Sequence, residues 1–228
     1  MYAAAPALHE PGGQVVSTDE MTGLQALERA APTLPRRPGA VERRECAYVR
    51  HGTQTLIANF AVATGEVVTP AVGPTRTEPD PPDADFAAQV DHTVATDPTA
   101  AGIFVVDHRD LHRSEALGRL VAARCELTDE RGVKDKAGIL KSMATRTAFL
   151  MDPTHRRRFV STPKHCSWLN QVAIWFSILV RTLLRRASFV STDELRARIL
   201  AFITDFTYFN RTMAKPFQWT YSGRPLVA

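Results

Sequence analysis

The 228-residue chain has no run of about 18 uncharged apolar residues, so no transmembrane helix is read from it. Its opening, MYAAAPALHEPGG, lacks a basic n-region and a long apolar stretch, which argues against a secretory signal. Residues 1–14 read instead as a disordered or truncated start. Cysteine is scarce: Cys46, Cys125 and Cys166 stand alone, with no CxxC pair. That excludes a zinc ribbon and a disulfide framework, and leaves three reduced thiols in a cytoplasmic protein as the expectation. No internal repeat is present, and no heptad pattern marks a dimer interface.

What is present is ordinary for a globular domain: 44% hydrophobic and 23% charged residues, enough to bury a core. The formal net charge is +4 and the pI about 9.2, which permits nucleic-acid binding without showing it. Distribution says more. Arg36, Arg37, Arg43, Arg44 and Arg50 crowd one stretch; Arg156, Arg157 and Arg158 follow His155; Arg181, Arg185 and Arg186 form a third cluster. Any one cluster is ordinarily a solvated face. Three of them around one acidic site supply the local density that phosphate neutralisation needs.

Periodicity predicts a short strand over 14–19, QVVSTD, ending in acid. Residues 31–53 are rich in Pro and Arg and lack periodicity, so they read as a long basic loop. Over 54–63, Leu56, Ala58, Phe60 and Val62 alternate with Ile57, Asn59 and Ala61; Thr64-Gly65 makes a turn, and 66–72 returns as the second strand of a hairpin. Residues 74–83 form a Pro-rich linker. Asp83 then caps a helix over 84–96 with Phe86, Val90 and Val94 as its apolar stripe. The run 103–106 is apolar throughout and ends in Asp107, as a strand buried on both faces would. Further elements are a helix over 115–126 opened by Ser114, a strand over 158–161, and helices over 167–184 and 193–211. The order fits an α/β fold, a hairpin-led mixed sheet with flanking helices, compatible with an RNase H-like architecture.

Asp19 and Asp107 sit at or near strand ends, where open α/β sheets place their sites. An acid in that position is more often a turn or helix cap. Two carboxylates on neighbouring strands are also a cradle for divalent cations, and two metals about 3.5–4 Å apart can clamp an in-line phosphoryl displacement. On the 167–184 helix, Leu169, Val172, Phe176 and Leu179 or Val180 make a core face. Asn170, Ala173, Ser177 and Arg181 follow at helical spacing on another face, whose default reading is the wet side.

Several blocks carry more than periodicity. They are TPKHCSWLNQVAIWFS at 162–177, NRTMAKPFQWTY at 210–221, and YVRHGTQTLIANF with VATGEVV within 46–68. VSTDEMTGLQALE at 16–28 and IFVVDH at 103–108 complete them. Together they resemble the bacterial insertion-sequence transposases of the mariner-related DDE superfamily, over about residues 15–226. The resemblance implies an RNase H-like DDE catalytic domain that cuts and joins transposon ends with three acids and two ions of Mg2+ or Mn2+. It places the first acid at Asp19, the second at Asp107 and the third in the W-L-N-Q-x-E motif, where this chain has Ala173. Asp19 and Asp107 are then the metal ligands. Other departures are His108 in place of Asn, Ala61 at a position often acidic, and a long linker around Pro79–Pro82. The resemblance also implies an N-terminal helix-turn-helix region, which this chain starts too late to contain. It implies DNA as partner, at transposon ends and target, a homodimer on paired ends, no membrane, and a place in the cytoplasm at the nucleoid. Arg36, Arg37, Arg43, Arg44, Lys164 and Arg181 are the candidate DNA contacts.

Alanine coordinates nothing, and loss of one preorganised electrostatic group costs roughly 100–1,000-fold in rate. The expectation is an impaired enzyme. Glu20 is not expected to substitute, since strand neighbours face opposite ways; Asp110 is the nearer stand-in. His108 and His112 are four apart, a zinc-binding spacing on a helix, but they precede the helix and read as loop histidines behind the site. Two other readings remain: a non-catalytic DNA-binding or subunit-interaction module derived from such a core, and an unrelated hydrolase built on Asp107, His108 and His112.

Overall fold

Val15 and Val16 are neighbours on the first strand, β1 (Gln14–Arg29), and they go to opposite sides of the sheet. Val15 joins a cluster with Leu56, Phe60 and Trp175, whereas Val16 joins one with Phe86, Phe104 and Leu117. This period-two divergence gives the molecule its three layers. The structure is a computed structural model that describes residues 1–75, 82–127, 131–212, 217, 219 and 220.

The sheet has the order β3-β2-β1-β4-β5. β2 (Tyr48–Ala61) is antiparallel to β1 and to β3 (Glu66–Pro74). β4 (Gly102–Val106) is parallel to β1, and β5 (Arg157–Ser161) is parallel to β4. On one side pack α2 (Pro82–Ala95), α3 (Glu115–Arg124) and α4 (Met143–Met151), through Phe86, Val90, Val94, Leu117, Val121 and Leu150. On the other pack α5 (Val172–Leu179) and α6 (Thr192–Thr212), through Trp175, Leu179, Leu195 and Ile199. The mixed sheet led by a hairpin and flanked by helices is the expected one. An isolated helix as short as α5 is unstable in water. Its hold comes from Val172, Trp175 and Leu179, all fully buried, each worth about 1.5–3 kcal/mol or more against exposure.

Four expectations change. β1 runs on to Arg29, and β2 already begins at Tyr48, so the irregular basic segment spans only 30–47. It is exposed almost throughout and held by the isolated bridges Leu34–Arg43 and Arg37–Ala40. The start of the chain is ordered: Tyr2 and Ala5, the latter opening α1 (Ala5–His9), are buried in the first cluster. The Tyr2 hydroxyl accepts from the Gln171 backbone N–H at 3.3 Å. The helix expected over 167–184 is a 3-10 turn at Ser167–Leu169, then α5, then a π-helical turn at Val180–Leu184. α4 was not anticipated. The linker residues 76–81 and half of the block at 210–221 lie outside the described residues.

Candidate metal centre

Ser17 on β1 stands opposite Val105 on the parallel strand β4. Two residues further on each chain come Asp19 and Asp107. A step of two keeps the side of the sheet, so register sets these carboxylates beside one another. Past the end of β4, a 3-10 turn over Asp110–Arg113 folds the chain back toward α3. Ser114 stops the turn and caps α3, its hydroxyl accepting from the Leu117 N–H at 3.2 Å. The turn delivers His112 to the acids. Its Nδ1 lies 2.8 Å from Asp107 Oδ1 and 3.2 Å from the Asp107 carbonyl oxygen. Ligand-capable atoms of Asp19, Asp107 and His112 all lie within 4.8 Å of one another. The His112 ring is buried against Phe86, with centroids 4.4 Å apart. Arg109 spans the rim, its Nε 3.2 Å from Asp107 Oδ2 and its Nη1 3.2 Å from Glu20 Oε1.

The two acids are driven apart electrostatically. Burial, then repulsion from Asp107, pushes the Asp19 carboxyl from the ordinary 3.8 up to about 6. Burial also works against charge on Asp107, but the His112 ring and the Arg109 guanidinium outweigh it and hold that carboxyl below its usual value. A carboxyl whose pKa rises on folding favours the folded state below the unfolded value and loses that contribution as pH climbs through the folded value. For Asp19 the window is pH 3.8 to about 6; Asp107 stays ionised above it. In metal-free buffer Asp19→Asn is therefore expected to stabilise the protein at pH 8 by up to about 3 kcal/mol, and much less at pH 4. Urea unfolding at the two pH values checks this; parallel stabilities of variant and wild type would remove the burial argument.

The helix that carries position 173 is sewn to the same strand. Ser17 lies on the side of Asp19. Its hydroxyl accepts from the Val172 N–H at 2.9 Å and donates to Asn170 Oδ1. Asn170 Nδ2 in turn donates to the Thr18 carbonyl at 2.9 Å. Asn170 is thus fully buried, not on the wet side of a helix as its spacing suggested. Ala173, half-buried, sits in the first turn of α5 immediately after this stitch.

The remaining candidates separate. Asp110 is 80% exposed along its side chain and pairs with Arg113, so it is not in the cluster. His108 is exposed and turned to Arg113, 3.4 Å away, so the two histidines do not form a pair. Glu20 is tied to Arg109 rather than joining the three clustered groups. Arg36, Arg37, Arg43 and Arg44 line the exposed 30–47 segment, Lys164 is exposed after β5, and Arg181 is exposed with its guanidinium bonded to Ser177. Arg157 is 2% exposed and donates to the Asp97 carbonyl, which removes it from any phosphate-facing cluster. Sequence reasoning missed Arg109 and set His112 aside. The signal for His112 was Ser114: a helix cap so soon after a strand end forces the seven residues between, 107–113, into a tight return.

Among the described residues, Asp107 Oδ1 and His112 Nε2 are buried without a hydrogen-bond partner. Orphaned buried donors and acceptors are rare and call for a partner. Carboxylate oxygens with one imidazole suit a divalent cation, so the residues present fit one.

Residues 14–196 match the family model described as DDE superfamily endonuclease. Nothing among the curated proteins matches the chain. Among solved structures it is similar to the Mos1 mariner paired end complex with Mn, at 10% identity and a TM-score of 0.53, over 88% of this chain and 52% of that one. It is also similar to the catalytic domain of Mos1 mariner transposase, at 9% identity and a TM-score of 0.48, over 88% of this chain and 76% of that one. The first likeness gives the sheet the RNase H-like fold. The chain spans about half the length of the protein in that complex.

Proposed function

The chain belongs to the DDE superfamily endonuclease family, and from that premise we propose that it is the catalytic core of a bacterial insertion-sequence transposase. Residues 15–226 make up the catalytic domain, acting on transposon-end and target DNA as a homodimer in the nucleoid-bearing cytoplasm. The observation that carries this reading is the convergence of Asp19 and Asp107 just past the parallel Ser17–Val105 pair, with ligand atoms within 4.8 Å of each other. These two residues would hold Mg2+ or Mn2+. A bound cation supplies Lewis-acid stabilisation of the attacking and leaving oxygens in an in-line phosphoryl displacement. The chain's own residues prepare that site. Arg109 and His112 keep Asp107 ionised and oriented. The Ser17–Asn170 stitch fixes the wall opposite. The exposed arginines of the 30–47 segment, with Lys164 and Arg181, engage the phosphate backbone. Ala173 leaves the third carboxylate missing, and cutting is accordingly slow.

The test is nicking of labelled duplex DNA in Mg2+ and in Mn2+ by wild type and Asp107→Asn, with DNA affinity measured across a salt series. The expected result is slow wild-type cutting that the variant lowers at least about 100-fold, with affinity falling steeply with salt in both. Equal cutting by the variant would sink the assignment of Asp107. Salt-sensitive binding with no cutting in either metal favours the second reading, a DNA-binding module derived from such a core, for which Ala173 is the supporting observation.

A further inference from the structure

We infer that His112 is a ligand of the cation held by Asp19 and Asp107, and that it biases this centre toward Mn2+ over Mg2+. The inference rests on the metal site proposed above. Two ligands about 2.1 Å from one ion stand roughly 3 Å apart when they meet it at right angles, and about 4.2 Å apart across it. His112 Nδ1 and Asp107 Oδ1 are 2.8 Å apart. The whole trio fits within 4.8 Å. Asp107 Oδ1 and His112 Nε2 are buried with no further partner among the described residues. Without an ion the Nδ1 proton holds the two atoms together; with that proton moved to Nε2, both atoms turn lone pairs toward one point, where a single cation can take them.

The ring is also in no position to leave. Its side chain is fully buried, packed at a tilt against Phe86 and carried by the 3-10 turn, whose His112 N–H bonds to the Arg109 carbonyl at 3.2 Å. Coordination through Nδ1 needs no net loss of a proton. The proton that Nδ1 offers the Asp107 carbonyl moves to Nε2 of the same ring, and Nδ1 gives up that 3.2 Å contact. The other groups considered for a third ligand do not reach: Asp110 faces solvent, Glu20 is held by Arg109, and Ala173 has no donor atom. An imidazole in place of a carboxylate changes which ion the site prefers. Mg2+ favours an all-oxygen octahedron, whereas Mn2+ and the later metals accept nitrogen more readily.

The deciding experiment loads the wild-type chain with Mn2+ and reads the electron spin-echo modulation of the bound ion. Calorimetric titrations of Mn2+ and Mg2+ into wild type, His112→Asn and Asp19→Asn accompany it. The expected result is an imidazole-nitrogen modulation in wild type and tighter binding of Mn2+ than of Mg2+. His112→Asn should lower Mn2+ affinity at least about tenfold and affect Mg2+ less. The spin-echo readout on wild type keeps the test decisive even where a variant at this buried position folds poorly. Bound Mn2+ with no nitrogen modulation, lost in Asp19→Asn, overturns the role of His112 and leaves the two-carboxylate site standing. No Mn2+ binding by wild type overturns both.

Discussion

Replacing Ala173 by glutamate is expected to raise Mg2+-dependent nicking about 100- to 1,000-fold, the scale on which one preorganised electrostatic group acts. The expectation follows from where the backbone has been placed. The Val172 N–H and the Asn170 side chain are both bonded to the strand segment just before Asp19. The first turn of α5 is thereby fixed against the acids before any side chain at 173 is considered. A carboxylate there completes an oxygen-rich set and shifts preference back toward Mg2+. It also brings a third negative charge to a place where Asp19 is already pushed up to about 6 by burial and by Asp107. The metal-free variant should therefore be less stable than wild type near pH 8 and regain the difference when Mg2+ is added. Single-turnover nicking with thermal melting in the presence and absence of Mg2+ reads both effects. A folded variant that binds the metal and cuts no faster would mean that position 173 does not complete the site.

Trp175→Ala should cost about 3–5 kcal/mol, the range for deleting a large buried aromatic. Trp175 is fully buried, two residues beyond position 173. Its ring meets Phe176 at 5.6 Å, Phe206 at 6.2 Å and Phe202 at 6.5 Å, so it ties α5 to α6. Truncation opens a cavity between the two helices. The ring's Nε1 has no hydrogen-bond partner among the described residues, and leaving a buried donor unmade carries its own cost of about 1–3 kcal/mol. Trp175→Phe removes that donor while keeping most of the apolar area, and should lose under about 1.5 kcal/mol. Equilibrium unfolding of the two variants separates the contributions. An alanine variant within 1 kcal/mol of wild type, on the ±0.5 scale of surface changes, would mean that α5 is held by something other than this ring.

The parts of the fold that were legible in sequence are those whose partners are near or whose pattern is strict. The apolar run 103–106 with Asp107 behind it, the Phe86–Val90–Val94 stripe and the Ser114 cap each carry their own signal, and each stands where expected. The hidden parts depend on distant chain. β1 beyond Asp19 reads as polar sequence because its register slips twice, between Met21 and Leu24 and between Gln25 and Leu27. Gly23 supplies the positive φ of +68° that the first slip needs. The early part of β2 is exposed and shows no buried face, so nothing in its sequence distinguishes it from the basic segment before it. α4 buries only Arg146 and Leu150, too sparse a stripe to recognise. Asn170 was misplaced because its spacing matched a helix that starts only at Val172. Ser17 takes the Val172 N–H there, and no local pattern records that bond. His112 was visible but undervalued, since spacing along the chain hides what a single 3-10 turn brings back together.

The bond between Ser17 and Asn170 joins residues 153 positions apart. Synthesis therefore delivers both acids long before it delivers the wall they work against. A growing chain that has passed Asp107 but not Asn170 holds two carboxylates on an unfinished sheet, with no α5 to close over them. Contacts of such long sequence separation are the slow ones to form. A chain stopped anywhere between Asp107 and Asn170 would carry both acids and none of the helix that is bonded to the strand of Asp19.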